Sequence, residues 1–128
     1  MRILAIDYGK NKIGLAFAES KIAEPLLVLR YNNVEDVVSK LTNLIKQKKI
    51  ERIVIGISEG AMAEETRIFA KKIEEVFNLP ILFVDETLST HDAQEKAIEA
   101  GIKRVKRKRL EDAYAAAIIL QEYLDFQL

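Results

Sequence analysis

The chain contains no cysteine, so disulfide frameworks, thiolate metal sites and cysteine nucleophiles are all excluded. It has a single histidine, His91, which excludes any site built on two imidazoles. There is no tryptophan, and only two prolines punctuate 128 residues, a length that suits one domain with a core of its own. No apolar run approaches the roughly 18 residues that a membrane span requires. The opening MRILAIDYG lacks the long apolar stretch of a secretory signal. The expectation is a cytoplasmic protein with no membrane partner. Net charge is zero, so whole-molecule electrostatics announce no polyanionic ligand.

The charge that is present is unevenly spread. Lys103, Arg104, Lys106, Arg107, Lys108 and Arg109 place six of the twenty basic residues within seven positions, on an otherwise mildly acidic chain. Such a strip reads either as solvated surface or as a grip on phosphates that holds a backbone by charge without selecting bases.

The hydrophobic pattern predicts nine elements in the order β-β-β-α-β-α-β-α-α. Strands are expected over 1–7, 12–18 and 25–31, joined by short links and therefore antiparallel. Asn32-Asn33 offers a cap to a helix in which Val34, Val37, Val38, Leu41, Leu44 and Ile45 recur at helical spacing. RIVIGI at 52–57 and ILFV at 81–84 read as strands buried on both faces. Between them a helix carries Phe69, Ile73, Val76 and Phe77 inward and ends at Asn78 before Pro80. A further helix is expected from Ser89 to Gly101, and a last one follows the basic strip. Strands reached through helices join in parallel by right-handed crossovers. The fold class is α/β, with a mixed five-stranded sheet flanked by helices.

Three acids fall where such sheets place their sites, beyond the carboxyl ends of strands. Asp7 ends the first strand, Glu86 follows the last with Asp85 beside it, and Asp112 lies in the first turn of the final helix. Ala113, Ala115, Ala116 and Ala117 would let that helix lie close to the sheet. Each acid also has a plain structural reading: a turn residue for Asp7, a helix-dipole partner for Asp112, a cap for Asp85-Glu86. Held together, three carboxylates suit hard cations such as Mg²⁺ or Mn²⁺. Hydrolysis of a phosphodiester needs such ions, one side to activate water and the other to stabilise the leaving oxygen. Lys10, on the turn after Asp7, is placed to touch a substrate backbone. Tyr8 is read equally as a backbone contact and as packing, and His91 as a surface residue of its helix or a proton shuttle.

The stretches ILAIDYGKNKIGLAFA, AEPL, IVIGI, FVDETLST and LEDAYAAAIILQEYLD, in that order, resemble the YqgF/RuvX family over essentially the whole chain. The resemblance implies a ribonuclease-H-like fold and a single metal-dependent nuclease domain over 1–128. It also implies a role in maturing the 5′ end of pre-16S ribosomal RNA, with branched DNA as the rival substrate, and kinship with Holliday-junction resolvases. By position it assigns Asp7, Glu86 and Asp112 as catalytic and metal-holding, with a two-metal mechanism, and Gly9, Gly14 and Asp85 as shaping residues. Lys10 and the strip from Lys103 to Arg109 are the expected nucleic-acid contacts, on a monomer or homodimer. The chain departs from the family pattern at Thr87, where arginine is usual, and at Ile57-Ser58, where Leu-Pro is usual. The 58–65 loop is short, and Arg107-Lys108-Arg109-Leu110-Glu111 replaces a Gly-Lys approach to the last acid. Two other classes remain in view: a sugar-kinase or actin-like ATPase, which needs two lobes where this chain has length for one, and a nucleic-acid-binding module without catalysis.

Overall fold

A computed structural model describes residues 1–57, 60–85 and 110–126. The elements are β1 (Ile3–Asp7), β2 (Lys12–Ala18), β3 (Glu24–Arg30), α1 (Val34–Lys48), β4 (Arg52–Ile57), α2 (Ala61–Phe77), β5 (Ile81–Asp85) and α3 (Glu111–Asp125). The helix expected between Ser89 and Gly101 lies outside the described residues.

The five strands form one sheet in the order β3-β2-β1-β4-β5. β1 runs antiparallel to β2, and β2 antiparallel to β3, while β1, β4 and β5 are mutually parallel. This is the expected pairing. β3 is an edge strand, which is why it tolerates Pro25, and its register slips beside Pro25 between Leu15 and Ala16 of its neighbour.

Strand alternation divides the sheet into two different faces. One face carries Leu4, Ile6, Ile13, Leu15, Ile53 and Ile55, large side chains that pack against Val37 and Leu41 of α1 and Phe69 and Ile73 of α2. The other carries Ile3, Ala5, Ala16, Ala18 and Val54, covered by Ala116, Ile119, Leu120 and Tyr123 of α3. The small residues on that second face, and the alanines of α3 opposite them, let the helix approach the backbone closely. Burial on α3 runs through Ala113, Ala115, Ala116, Ala117, Ile118, Ile119 and Leu120, as its apolar composition requires.

Local signals account for the helix ends. Asn33 caps α1, its side-chain oxygen accepting from the Asp36 N–H at 2.8 Å. Asn78 closes α2 in the left-handed conformation (φ 52°), its N–H bonding the Glu74 carbonyl. Three expectations need correction. α2 begins at Ala61 after Gly60 (φ 95°), so most of the loop expected over 58–65 is helix. Val76 is 53% exposed, because the inner stripe of α2 passes through Phe69 and Ile73 and leaves Val76 at its border. Leu82 and Phe83 are 39% and 44% exposed: β5 is the last strand in the sheet order and is not buried on both faces.

Candidate functional site at the carboxyl end of β1

The sheet's α3 face ends in a row of residues in register. Across β3, β2, β1, β4 and β5 it reads Val28, Gly14, Asp7, Gly56 and Val84. Asp7 has the parity of Ile3 and Ala5, which pack under α3, so it belongs to this face. Its neighbours on both sides are glycines. Neither in-register neighbour therefore adds a side chain next to Asp7 on this face.

Gly14 also sets the position of Asp112. A Cβ built on Gly14 would lie 1.9 Å from the Asp112 carbonyl oxygen, 2.2 Å from its carbon and 2.8 Å from the Ala113 nitrogen. The first turn of α3 thus rests directly on the β2 backbone at the residue paired with Asp7. One missing methyl lets the backbone of Asp112 sit on the strand partner of Asp7, 105 positions away in sequence.

Asp112 is partly buried and ion-paired: Lys12 Nζ lies 2.9 Å from its Oδ2. Lys12 opens β2 and, two residues before Gly14, shares its face. The sequence reading did not single out Lys12. The available signal was its parity, a basic residue in step with the glycine that pairs with Asp7. The ammonium offsets the charge of a carboxylate held beside another acid. Hard oxygen donors that already accommodate a cation fit a divalent ion chemically. Among the described residues, no group of three or more His, Asp or Glu side chains is arranged to hold a metal. Glu86, the third acid expected here, lies outside the described residues.

Asp85 ends β5 in register with Ile57. It has the parity of Ile81, which packs with the α1 and α2 core, whereas Val84 packs with α3. Asp85 is therefore assigned to the face opposite Asp7.

The turn between β1 and β2 is tightly constrained. A Cβ on Gly9 would meet the Lys12 carbonyl at 2.7 Å, so the chain reverses there only without a side chain. Tyr31 donates its hydroxyl to the Gly9 carbonyl, and its N–H bonds the Asn11 carbonyl at 3.1 Å. Burial, reinforced by neighbouring Tyr8 and Glu65, raises the Tyr31 pKa well above its ordinary value near 10. Tyr31 is thus a neutral clamp on the hairpin, a part no sequence signal marked. Tyr8 stacks on Phe69 with ring centroids 4.8 Å apart, which favours its packing role. Lys10 extends from the turn, its side chain 69% exposed and Nζ 3.8 Å from Glu65 Oε1, a pair too open to fix it. Thr87, His91 and the basic residues Lys103, Arg104, Lys106, Arg107, Lys108 and Arg109 lie outside the described residues. No helix among the described residues is long and apolar enough to cross a membrane.

Comparison with known proteins supplies the context. A family model described as "RuvX: Holliday junction resolvase" matches residues 1–126. A protein of Dictyoglomus thermophilum named "Putative pre-16S rRNA nuclease" is 41% identical, covering 98% of this chain and 96% of the relative. One from Streptococcus equi subsp. equi with the same name is 36% identical and covers 98% of both chains. Among solved structures, Thermus thermophilus RuvC in complex with a Holliday junction substrate superposes with a TM-score of 0.64 at 16% identity. That match covers 99% of this chain and 96% of RuvC. The fowlpox virus resolvase bound to Holliday junction DNA gives 0.63 at 12% identity, over 100% of this chain and 99% of the resolvase. At these identities the structural likeness speaks for the fold, which is ribonuclease-H-like, as the sequence implied. With a family model matched almost end to end and relatives so similar over their full length, the chain belongs to the RuvX family of nucleases.

Proposed function

We propose that this chain is a single-domain, metal-dependent nuclease that hydrolyses phosphodiester bonds at the Asp7 site, acting in 5′-end maturation of pre-16S ribosomal RNA. The observation that carries the reading is the seating of the Asp112 backbone on Gly14, the residue paired with Asp7. Asp7, Asp112 and Glu86 would hold Mg²⁺ or Mn²⁺, which when bound in pairs activate water and stabilise the departing oxygen.

The chain's own residues contribute the rest. Gly14 admits the start of α3, and Gly56 on the other side of Asp7 adds no side chain that would stand in a phosphodiester's way. Lys12 orients the Asp112 carboxylate through their ion pair. Strand alternation places Asp85 on the α1/α2 face, opposite Asp7, which counts against Asp85 as the third acid. Lys10 and the strip from Lys103 to Arg109 supply positive charge for the backbone of the nucleic acid. The names of the relatives favour ribosomal precursor RNA as substrate.

A second reading, cleavage of branched DNA, is favoured by the family model's description and by the junction-bound structures. Symmetric resolution of a junction needs two active sites related by a two-fold axis. A monomer on junction DNA would exclude it.

The test compares wild type with Asp7→Asn, Glu86→Gln and Asp85→Asn on precursor RNA and four-way junction DNA, with Mg²⁺ or with EDTA. Cutting should vanish with EDTA and in the first two variants, and survive in Asp85→Asn. Cutting indifferent to both chelator and Asp7→Asn would refute the mechanism. Nucleic-acid binding with no Mg²⁺-dependent cutting in wild type would leave a binding module.

A further inference from the structure

One row beyond Asp7 and Gly14, at the start of β2 and the end of β3, Lys12 and Arg30 stand directly opposite each other. Like charges at opposed positions of an antiparallel pair destabilise it. The sheet keeps both, on the face that carries Asp7. Asp112 compensates Lys12 at 2.9 Å. Arg30 forms no ion pair among the described residues. The nearby cation Lys40 is already matched, its Nζ 3.2 Å from Asp36 Oδ2.

The backbone around the pair is held in place. Lys40 Nζ donates to the Arg30 carbonyl at 2.7 Å, and the Tyr31 N–H bonds the Asn11 carbonyl at 3.1 Å. Beside Arg30 a polar cleft of about 450 Å³ opens, lined by Asn11, Tyr31, Asn32, Lys40 and the Asp36 carboxylate that pairs with Lys40. Two cations on a fixed edge, one of them without an ion-pair partner among the described residues, match one chemical class, an anion with several acceptor oxygens. A guanidinium presents a fork that suits phosphate, and an ammonium has three donors, enough to keep Asp112 and still reach a second acceptor.

We infer that Lys12 and Arg30 together seat a backbone phosphate of the bound nucleic-acid strand, one step from the phosphate at Asp7. Two residues along a strand span roughly 7 Å, a step that an extended sugar-phosphate chain can follow. The strand then runs from the Asp7 row across the end of β2 toward β3. This inference rests on the nuclease reading of the Asp7 site for its direction, not for its chemistry.

The experiment measures binding in EDTA, so that it stands apart from cutting. Single-stranded RNA and four-way DNA junctions, each carrying one uncharged methylphosphonate linkage at successive positions, are titrated with wild type and with Lys12→Ala/Arg30→Ala. The double variant should bind unmodified strands at least about tenfold more weakly, and its log–log salt dependence should flatten by roughly 0.7–0.9 for the one lost phosphate contact. One methylphosphonate position should weaken wild-type binding and have no further effect in the double variant. A salt slope and a methylphosphonate profile identical in the two proteins would overturn the inference. So would a flattened slope with an unchanged profile, since that marks general attraction and not a seat. If the profiles behave as expected while wild type fails to cut in Mg²⁺, the phosphate seat stands and the nuclease reading falls. The RNA and DNA arms show which strand uses it.

Discussion

Gly14→Ala is the sharpest perturbation of this site, because the added methyl would meet main chain and not a flexible side chain. The new Cβ would lie 1.9 Å from the Asp112 carbonyl oxygen and 2.8 Å from the Ala113 nitrogen. Ordinary contact requires the helix start to retreat by about 1.5 Å, and overpacking of this kind typically costs ~1–3 kcal/mol. Reduced backbone entropy in the unfolded chain returns only ~0.4–1 kcal/mol. The expected net loss is ~1–2 kcal/mol, or a fall of roughly 3–10 °C in Tm for a chain of this size. Activity should suffer more. A displacement of about 1 Å can cost on the order of a hundredfold in rate, and here the shift separates Asp112 from Asp7. Guanidinium denaturation read by circular dichroism gives the first quantity, and Mg²⁺-dependent cutting of precursor RNA or junction DNA gives the second. Side-chain truncation on α3 should rescue neither, since the clash is with its backbone. A Gly14→Ala protein with unchanged stability and unchanged activity would refute the seating of α3 as the device that assembles the site.

Two further substitutions probe the supports. Tyr31→Phe removes the hydroxyl that holds the Gly9 carbonyl and should cost ~1–3 kcal/mol, measured by chemical denaturation. Because burial raises the Tyr31 pKa in the folded state, the unfolded chain loses this proton first. Wild-type stability should therefore decline as pH rises past about 10, and the decline should be shallower in Tyr31→Phe. Equal slopes in the two proteins would argue against the raised pKa. Asn33→Ala deletes the α1 cap at 2.8 Å and should lower stability by ~1 kcal/mol while leaving cutting unchanged; a large loss of activity would show that α1 communicates with the site.

Much of this architecture is legible in the chain itself, where local rules and tertiary context agree. β2 and β4 take their bounds from uninterrupted apolar runs, α1 from Asn33, and the end of α2 from Asn78 followed by Pro80. The sheet's antiparallel-then-parallel pairing follows from which strands are separated by helices. Exposure at Val76, Leu82 and Phe83 was not legible, because apolar character says nothing about whether a neighbour exists to cover it.

The sequence by itself determined that acids stand at the ends of β1 and β5 and at the start of α3, since strand and helix periodicity place them. It could not decide which of them meet. That depends on register and on the distance of closest approach, which are properties of paired strands and packed faces. The pairing of Gly14 with Asp7 and the contact of Asp112 with the backbone at Gly14 exist only once β2 folds onto β1 and α3 onto both. The opposition of Lys12 and Arg30 has the same origin: they lie eighteen positions apart along the chain, and the β2–β3 register alone makes them neighbours.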